Sequence, residues 1–126
     1  MNAAALAAVG AGAVLGAWAR WALGTWLNPV VPSLPLGTLM VNVAGGYLIG
    51  VAVAYFGAHV SLAPEWRLFC ITGFLGAMTT FSTFSAESMQ LLQVEQYVAA
   101  ALHSAAHLFG AILATILGFA TYRLFS

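Results

Sequence analysis

GAMTTFSTF, residues 76–84, lies in the middle of a hydrophobic run that extends from Trp66 to Leu92. A helix of about 20 apolar residues crosses a bilayer, so the run is long enough to span. Its centre nevertheless holds Gly76, the adjacent pair Thr79 and Thr80, and two phenylalanines framing Ser82 and Thr83. Backbone groups freed at membrane depth are tolerated only where protein or a water-filled cavity satisfies them. The stretch therefore predicts a spanning helix broken midway, with carbonyls and hydroxyls gathered at the break.

The rest of the chain agrees with a membrane setting. Of 126 residues, 63% are hydrophobic and 5% charged, with three arginines, no lysine and three acids. A soluble domain carries about 25% charged residues, so this composition cannot cover a water-facing surface. The net charge of zero leaves no basic patch for nucleic acid. A single cysteine, Cys70, excludes an internal disulfide. The N-terminal segment lacks a basic start, and its apolar run continues to Leu27. It is read as a retained span rather than a signal peptide.

Four spans are expected in one transmembrane domain, at about 3–27, 36–56, 66–92 and 96–122. Three prolines in NPVVPSLP (28–35) end the first span. GAHVSLAPE forms the next turn, and the short link QVEQ places the fourth span antiparallel beside the third. Four spans put both termini on one side, with Arg67 and Arg123 near them and Arg20 toward the other. Arginine and lysine bias sets orientation. Here the bias is so weak that the chain can insert both ways, which permits an antiparallel, dual-topology homodimer. Gly12/Gly16, Gly46/Gly50 and the stripe Ala106, Gly110, Ala114, Gly118 mark close helix contacts.

Polar residues inside spans need an account, because they are unfavourable there. Arg20 either snorkels to the headgroups or serves as a vestibule cation. It shares a face with Gly12 and Gly16, which favours the inward role. Asn42, with Thr38 one turn earlier, is either interhelical glue or a donor lining a polar path. Glu87 is a surface carboxylate or a vestibule group, whereas Glu65 and Glu95 lie in links. His103 and His107 stand at i, i+4. A zinc site needs three or four ligands and Cys70 is the only other soft candidate, so polar helix contact is the favoured reading. At the break, freed carbonyls suit a hard alkali cation. Phe81 and Phe84, at i, i+3, share a face, and their positive ring edges favour a small anion. Ser82, Thr83 and Asn42 add hydroxyl and amide donors. The residues alone define a polar pore with an anion-friendly lining, or a structural break.

GAWARW (16–21), GTLMVNVAGGYLIG (37–50) and GFLGAMTTFSTFSAE (73–87), in a four-span chain of this length, resemble the small bacterial fluoride channels, Fluc or CrcB. The resemblance covers essentially the whole chain. It implies an antiparallel homodimer in the bacterial inner membrane that passes fluoride passively through two pores, with a structural sodium ion at its centre. Phe81 and Phe84 would be the pore phenylalanines and Asn42 the pore amide. Gly76 and Thr79 would give backbone carbonyls to sodium. Arg20 would lie at the vestibule, and Thr38, Ser82 and Thr83 in the polar track. The fourth span departs: His103 stands at the family's usual tyrosine and His107 at its usual serine, so either imidazoles line the pore in place of the hydroxyls or the hydroxyl track matters less in this chain. One rival is a small four-helix drug–proton exchanger, which depends on a glutamate in the first span that this chain lacks. The other is a structural membrane protein without transport. No nucleophile–base pair or nucleotide loop suggests an enzyme.

Overall fold

The computed structural model describes residues 1–126. The chain is helical, without strands, and four of its helical segments are long and apolar enough to cross a membrane. Helix α1, Ala3–Leu27, opens with Asn2, whose side chain accepts from the Ala5 N–H. The 3-10 turn Asn28–Val30, with Pro29 in it, ends that span. Helix α2 runs from Leu36 to Ala58. The third span begins at Pro64, a residue suited to the first helical position because its missing N–H is not needed there. It comprises α3 (Pro64–Arg67), a π-helical stretch Leu68–Leu75, α4 (Gly76–Met78) and α5 (Phe81–Gln93). Helix α6 runs from Tyr97 to Phe125.

Between α4 and α5, Thr79 (ψ 154°) and Thr80 (φ −152°) are extended. Thr79 still donates its N–H to the Leu75 carbonyl at 3.0 Å. Thr80 leaves the helical path, and its hydroxyl accepts the Thr83 N–H at 3.0 Å, capping α5. A threonine hydroxyl at this position satisfies one of the donors that a helix start leaves free. Gly76 itself is helical (φ −63°, ψ −34°), so the interruption falls on the threonines.

Small residues bring the helices together in two parallel pairs. The α1 backbone at Gly12 and Gly16 lies directly on the Phe69–Met78 backbone, and a Cβ at either would land on it. Gly46 and Gly50 of α2 meet α6 backbone at Ala111 and Thr115 in the same way, while Gly118 meets Tyr47. The short link after α5 led to the expectation that α6 lies beside the third span. It does so only along α5, through the pairs Ser88–Ser104 and Glu87–His103. Most of α6 runs along α2 instead. The reason is the small-residue face: Ala111 to Gly118 admits the α2 backbone, and close approach is what associates helices in lipid.

Only 19 of 126 residues are buried, and the apolar ones at the centre are Val41, Leu75 and Met78. Trp18, Trp21, Ile112, Leu113, Ile116 and Leu117 all face outward. A bundle with its apolar side chains outside and glycines and polar groups inside is built for a solvent of hydrocarbon.

Candidate functional site

The site forms where α2, the interruption in the third span, and α6 meet. Asn42 grips Thr80 with both ends of its amide: Oδ1 accepts the Thr80 N–H at 2.7 Å, and Nδ2 donates to the Thr80 carbonyl at 2.9 Å. In a continuous helix that N–H would serve the Gly76 carbonyl. Asn42 thus replaces one helical bond and leaves Gly76 without its donor. Gly76 is exposed and Thr79 half-buried, and both line an open groove of about 710 Å³ with Asn42, Phe81, Phe84 and His107.

A second polar cluster continues from the first. Thr38 donates its N–H to Asn28 Oδ1 at 3.0 Å and its hydroxyl to Glu87 Oε1 at 2.5 Å, while Asn28 Nδ2 donates to the Thr38 hydroxyl at 3.3 Å. Glu87 Oε2 lies 3.4 Å from His103 Nε2. The His103 and His107 rings are edge-to-face at 4.5 Å, and His107 Nδ1 is 2.9 Å from Asn42 Nδ2. Polar groups therefore run in sequence from Asn28 through Thr38, Glu87, His103, His107 and Asn42 to Thr80. Glu87 also borders a second hollow of about 420 Å³, beside Pro32, Pro35, Gln90 and Gln96. His103 is wholly buried and His107 nearly so. Glu87 Oε2, both His103 nitrogens and His107 Nε2 have no hydrogen-bond partner. Buried polar atoms are ordinarily paired, so this cluster has unmet capacity.

The phenylalanines meet this chain unequally. Phe84 lies 4.7 Å from His107 and 5.4 Å from His103, ring centre to ring centre. Phe81 turns its ring against Phe84 at 5.3 Å with planes 69° apart, and is 78% exposed. Thr83 accepts the Thr80 hydroxyl proton at 3.0 Å, and Ser82 Oγ is 3.3 Å from Thr80 Oγ1. The hydroxyls of 82 and 83 are thereby grouped around the cap of α5. Arg20 is half-buried on α1, outside the hydrogen-bonded series and outside the groove lining. A third donor does join the histidine pair, and it is Glu87: one atom from each of Glu87, His103 and His107 lies within 4.8 Å of the others. Cys70 sits instead in the π-helical stretch that packs on α1.

Sequence reasoning placed Thr80 at the break but missed its roles as the cap of α5 and the partner of Asn42, and it missed Asn28 as the partner of Thr38. A threonine just before a helical run is a capping signal, available at Thr80 but overshadowed by the Phe pair. Nothing local links Asn28 to Thr38, which lie ten residues apart across a proline-rich loop.

Together these features define a small multi-pass membrane protein with a polar series buried among its helices. Residues 7–119 match the family described as CrcB-like protein, Camphor Resistance (CrcB). The chain is 58% identical to a fluoride-specific ion channel FluC of Ralstonia pickettii, over 94% of both chains. Identity is 56% to proteins of the same name from Ralstonia nicotianae, over 92% of both, and from Nitrosospira multiformis, over 94% of this chain and 93% of the relative. The protein belongs to the CrcB family.

Proposed function

We propose that the protein is a fluoride-selective channel of the bacterial inner membrane, which lets F⁻ leave the cell passively down its electrochemical gradient. The observation that carries this reading is the near full-length similarity to proteins named fluoride-specific ion channels. The site has the chemistry for it. A small, hard anion must exchange its water for directional donors, and conduction requires several weak sites rather than one strong one. Neutral donors and aromatic edges meet that need, and no fixed cation lies in the groove lining.

The working unit is an antiparallel, dual-topology homodimer with two pores. The groove is open along one side of the single chain, with Phe81 and Gly76 exposed on it, so one chain does not enclose a path. Thr38, Asn42, Ser82, Thr83, His103 and His107 line or support the path with the two phenylalanines, and Glu87 and Arg20 flank its ends. A structural sodium ion fits the carbonyls of Gly76 and Thr79. Gly76 has lost its helical donor to Asn42, and hard cations prefer oxygen ligands. Bound there, sodium would neutralise the dipoles of these carbonyls. Liposomes containing the purified protein should release fluoride, read by a fluoride electrode, and retain chloride. Equal release of both ions, or of neither, would reject the reading.

A further inference from the structure

Asn42 has no donor to spare. Its Oδ1 accepts the Thr80 N–H at 2.7 Å, and Nδ2 faces two acceptors: the Thr80 carbonyl at 2.9 Å and His107 Nδ1 at 2.9 Å. Turning the amide over would set NH2 against N–H and carbonyl against carbonyl, so its orientation is fixed by Thr80. An amide NH2 carries two hydrogens, and these two acceptors use both. His107 Nδ1 must therefore accept, and a neutral imidazole then bears its one proton on Nε2. That Nε2 is buried and has no partner in the chain. It belongs to the ring that Phe84 overlies and that lines the groove.

We infer that the Nε2–H of His107 is the hydrogen-bond donor offered to the conducted anion, and that Asn42 is a positioning residue acting through His107. The inference rests on the channel reading and assigns its donor. The ligand class is a small, hard anion able to accept one short N–H bond. The other ionisable groups at the cluster are His103 on α6 and Glu87 on α5. They lie within 3.4 Å of each other, and Thr38 of α2 donates to Glu87. The acid is thus hydrogen-bonded through Oε1, while its Oε2 faces His103 rather than the groove lining. The same reasoning disfavours a metal at Glu87, His103 and His107. A ligating His107 Nε2 needs its lone pair, which would put a proton on Nδ1 against the Asn42 NH2.

The test is nitrogen NMR on protein labelled with 15N at histidine and asparagine, in nanodiscs, with His107 assigned by the signal missing from His107→Gln. The unmodified protein should show Nε2 protonated and Nδ1 bare. Sodium fluoride should move the His107 Nε2–H signal, and sodium chloride at the same concentration should not. Asn42→Asp keeps the shape but accepts where Asn42 donates. It should move the His107 proton to Nδ1 and lower fluoride efflux at least about tenfold. His107→Leu should lose as much, and His107→Gln, which retains an N–H donor, should recover most of the rate. A protonated Nδ1 in the unmodified protein would overturn the proposal. So would a fluoride response confined to the Asn42 side-chain amide. Failure of the unmodified protein to release fluoride would instead sink the channel reading, because the proton's position is measured without any flux.

Discussion

Phe81 and Phe84 share a helix face yet sit in different surroundings. Phe84 is half-buried with its ring tilted over His107, while Phe81 is 78% exposed and meets Phe84 edge-to-face. Ring edges supply weak positive potential without a charge. Isoleucine keeps apolar bulk and removes that potential. Phe81→Ile and Phe84→Ile should each lower fluoride efflux from liposomes at least about tenfold, a barrier increase of roughly 1.4 kcal/mol. Only Phe84→Ile should also lower the melting temperature, because only Phe84 packs on the histidine pair. Unchanged efflux in both would mean that the rings serve packing alone. Asn42 was legible as a candidate because an amide is out of place in an apolar run, and Phe81 and Phe84 because they frame two hydroxyls. Their partners were not. Asn42 meets Thr80 across 38 residues and His107 across 65, and no local pattern records such a contact. For the same reason the histidine pair, visible as i, i+4, did not disclose Glu87 as its neighbour.

At the level of the element, the third span holds most of the information. Its second half starts from a cap, so Thr80→Ala should destabilise the protein by about 1 kcal/mol. Ser82→Ala, one position inside α5, removes no backbone partner and should leave the melting temperature unchanged. Equal melting temperatures for both variants would rule out the cap as a source of stability. The far end of α5 closes in a Schellman turn, with Gln96 N–H on the Leu91 carbonyl at 2.9 Å and Glu95 N–H on Leu92 at 3.1 Å. Glu95 sits there at φ 61°, a conformation that disfavours side chains bearing Cβ. Glu95→Gly should therefore raise stability by up to about 1 kcal/mol, and a lower melting temperature would contradict that account. The four helices themselves were readable, since apolar length and the prolines at 29, 32, 35 and 64 decide them. The π-helical stretch Leu68–Leu75 was not. Its i→i+5 bonding has no compositional signature, and within it Gly73 lies against the α1 backbone. Link length gave only the lesser partner of α6, since it meets the third span along α5 and runs mostly beside α2, although the small-residue face that seats it there was already visible as a stripe.

The whole molecule is constrained by three arginines and one open side. Lipid can cover the outward-facing tryptophans and leucines, but it leaves the polar atoms of an open groove without partners. In the proposed dimer a second, inverted copy supplies the matching wall, and inversion requires that neither orientation be strongly favoured. Arg67 lies at the start of the third span and Arg123 in the last turn of α6, both at the end of the bundle that holds the termini. Arg20 lies toward the opposite end. Positive charge in short loops fixes which side stays in the cytoplasm, so a two-to-one distribution is close to balance. Two lysines added within loop 28–35 should tip it and lock a single orientation. Such a variant should insert and fold but release no fluoride alone. Co-expression with a variant carrying two lysines in the 59–63 turn, locked the other way, should restore release. Orientation is read from a C-terminal tag probed by an impermeant reagent in sealed vesicles. A tag found on one side only in the unmodified protein would remove the inverted pair. Full activity of the 28–35 lysine variant by itself would do the same, because the proposed dimer needs two copies of opposite orientation to place Gly76 and Thr79 across an in-plane two-fold axis.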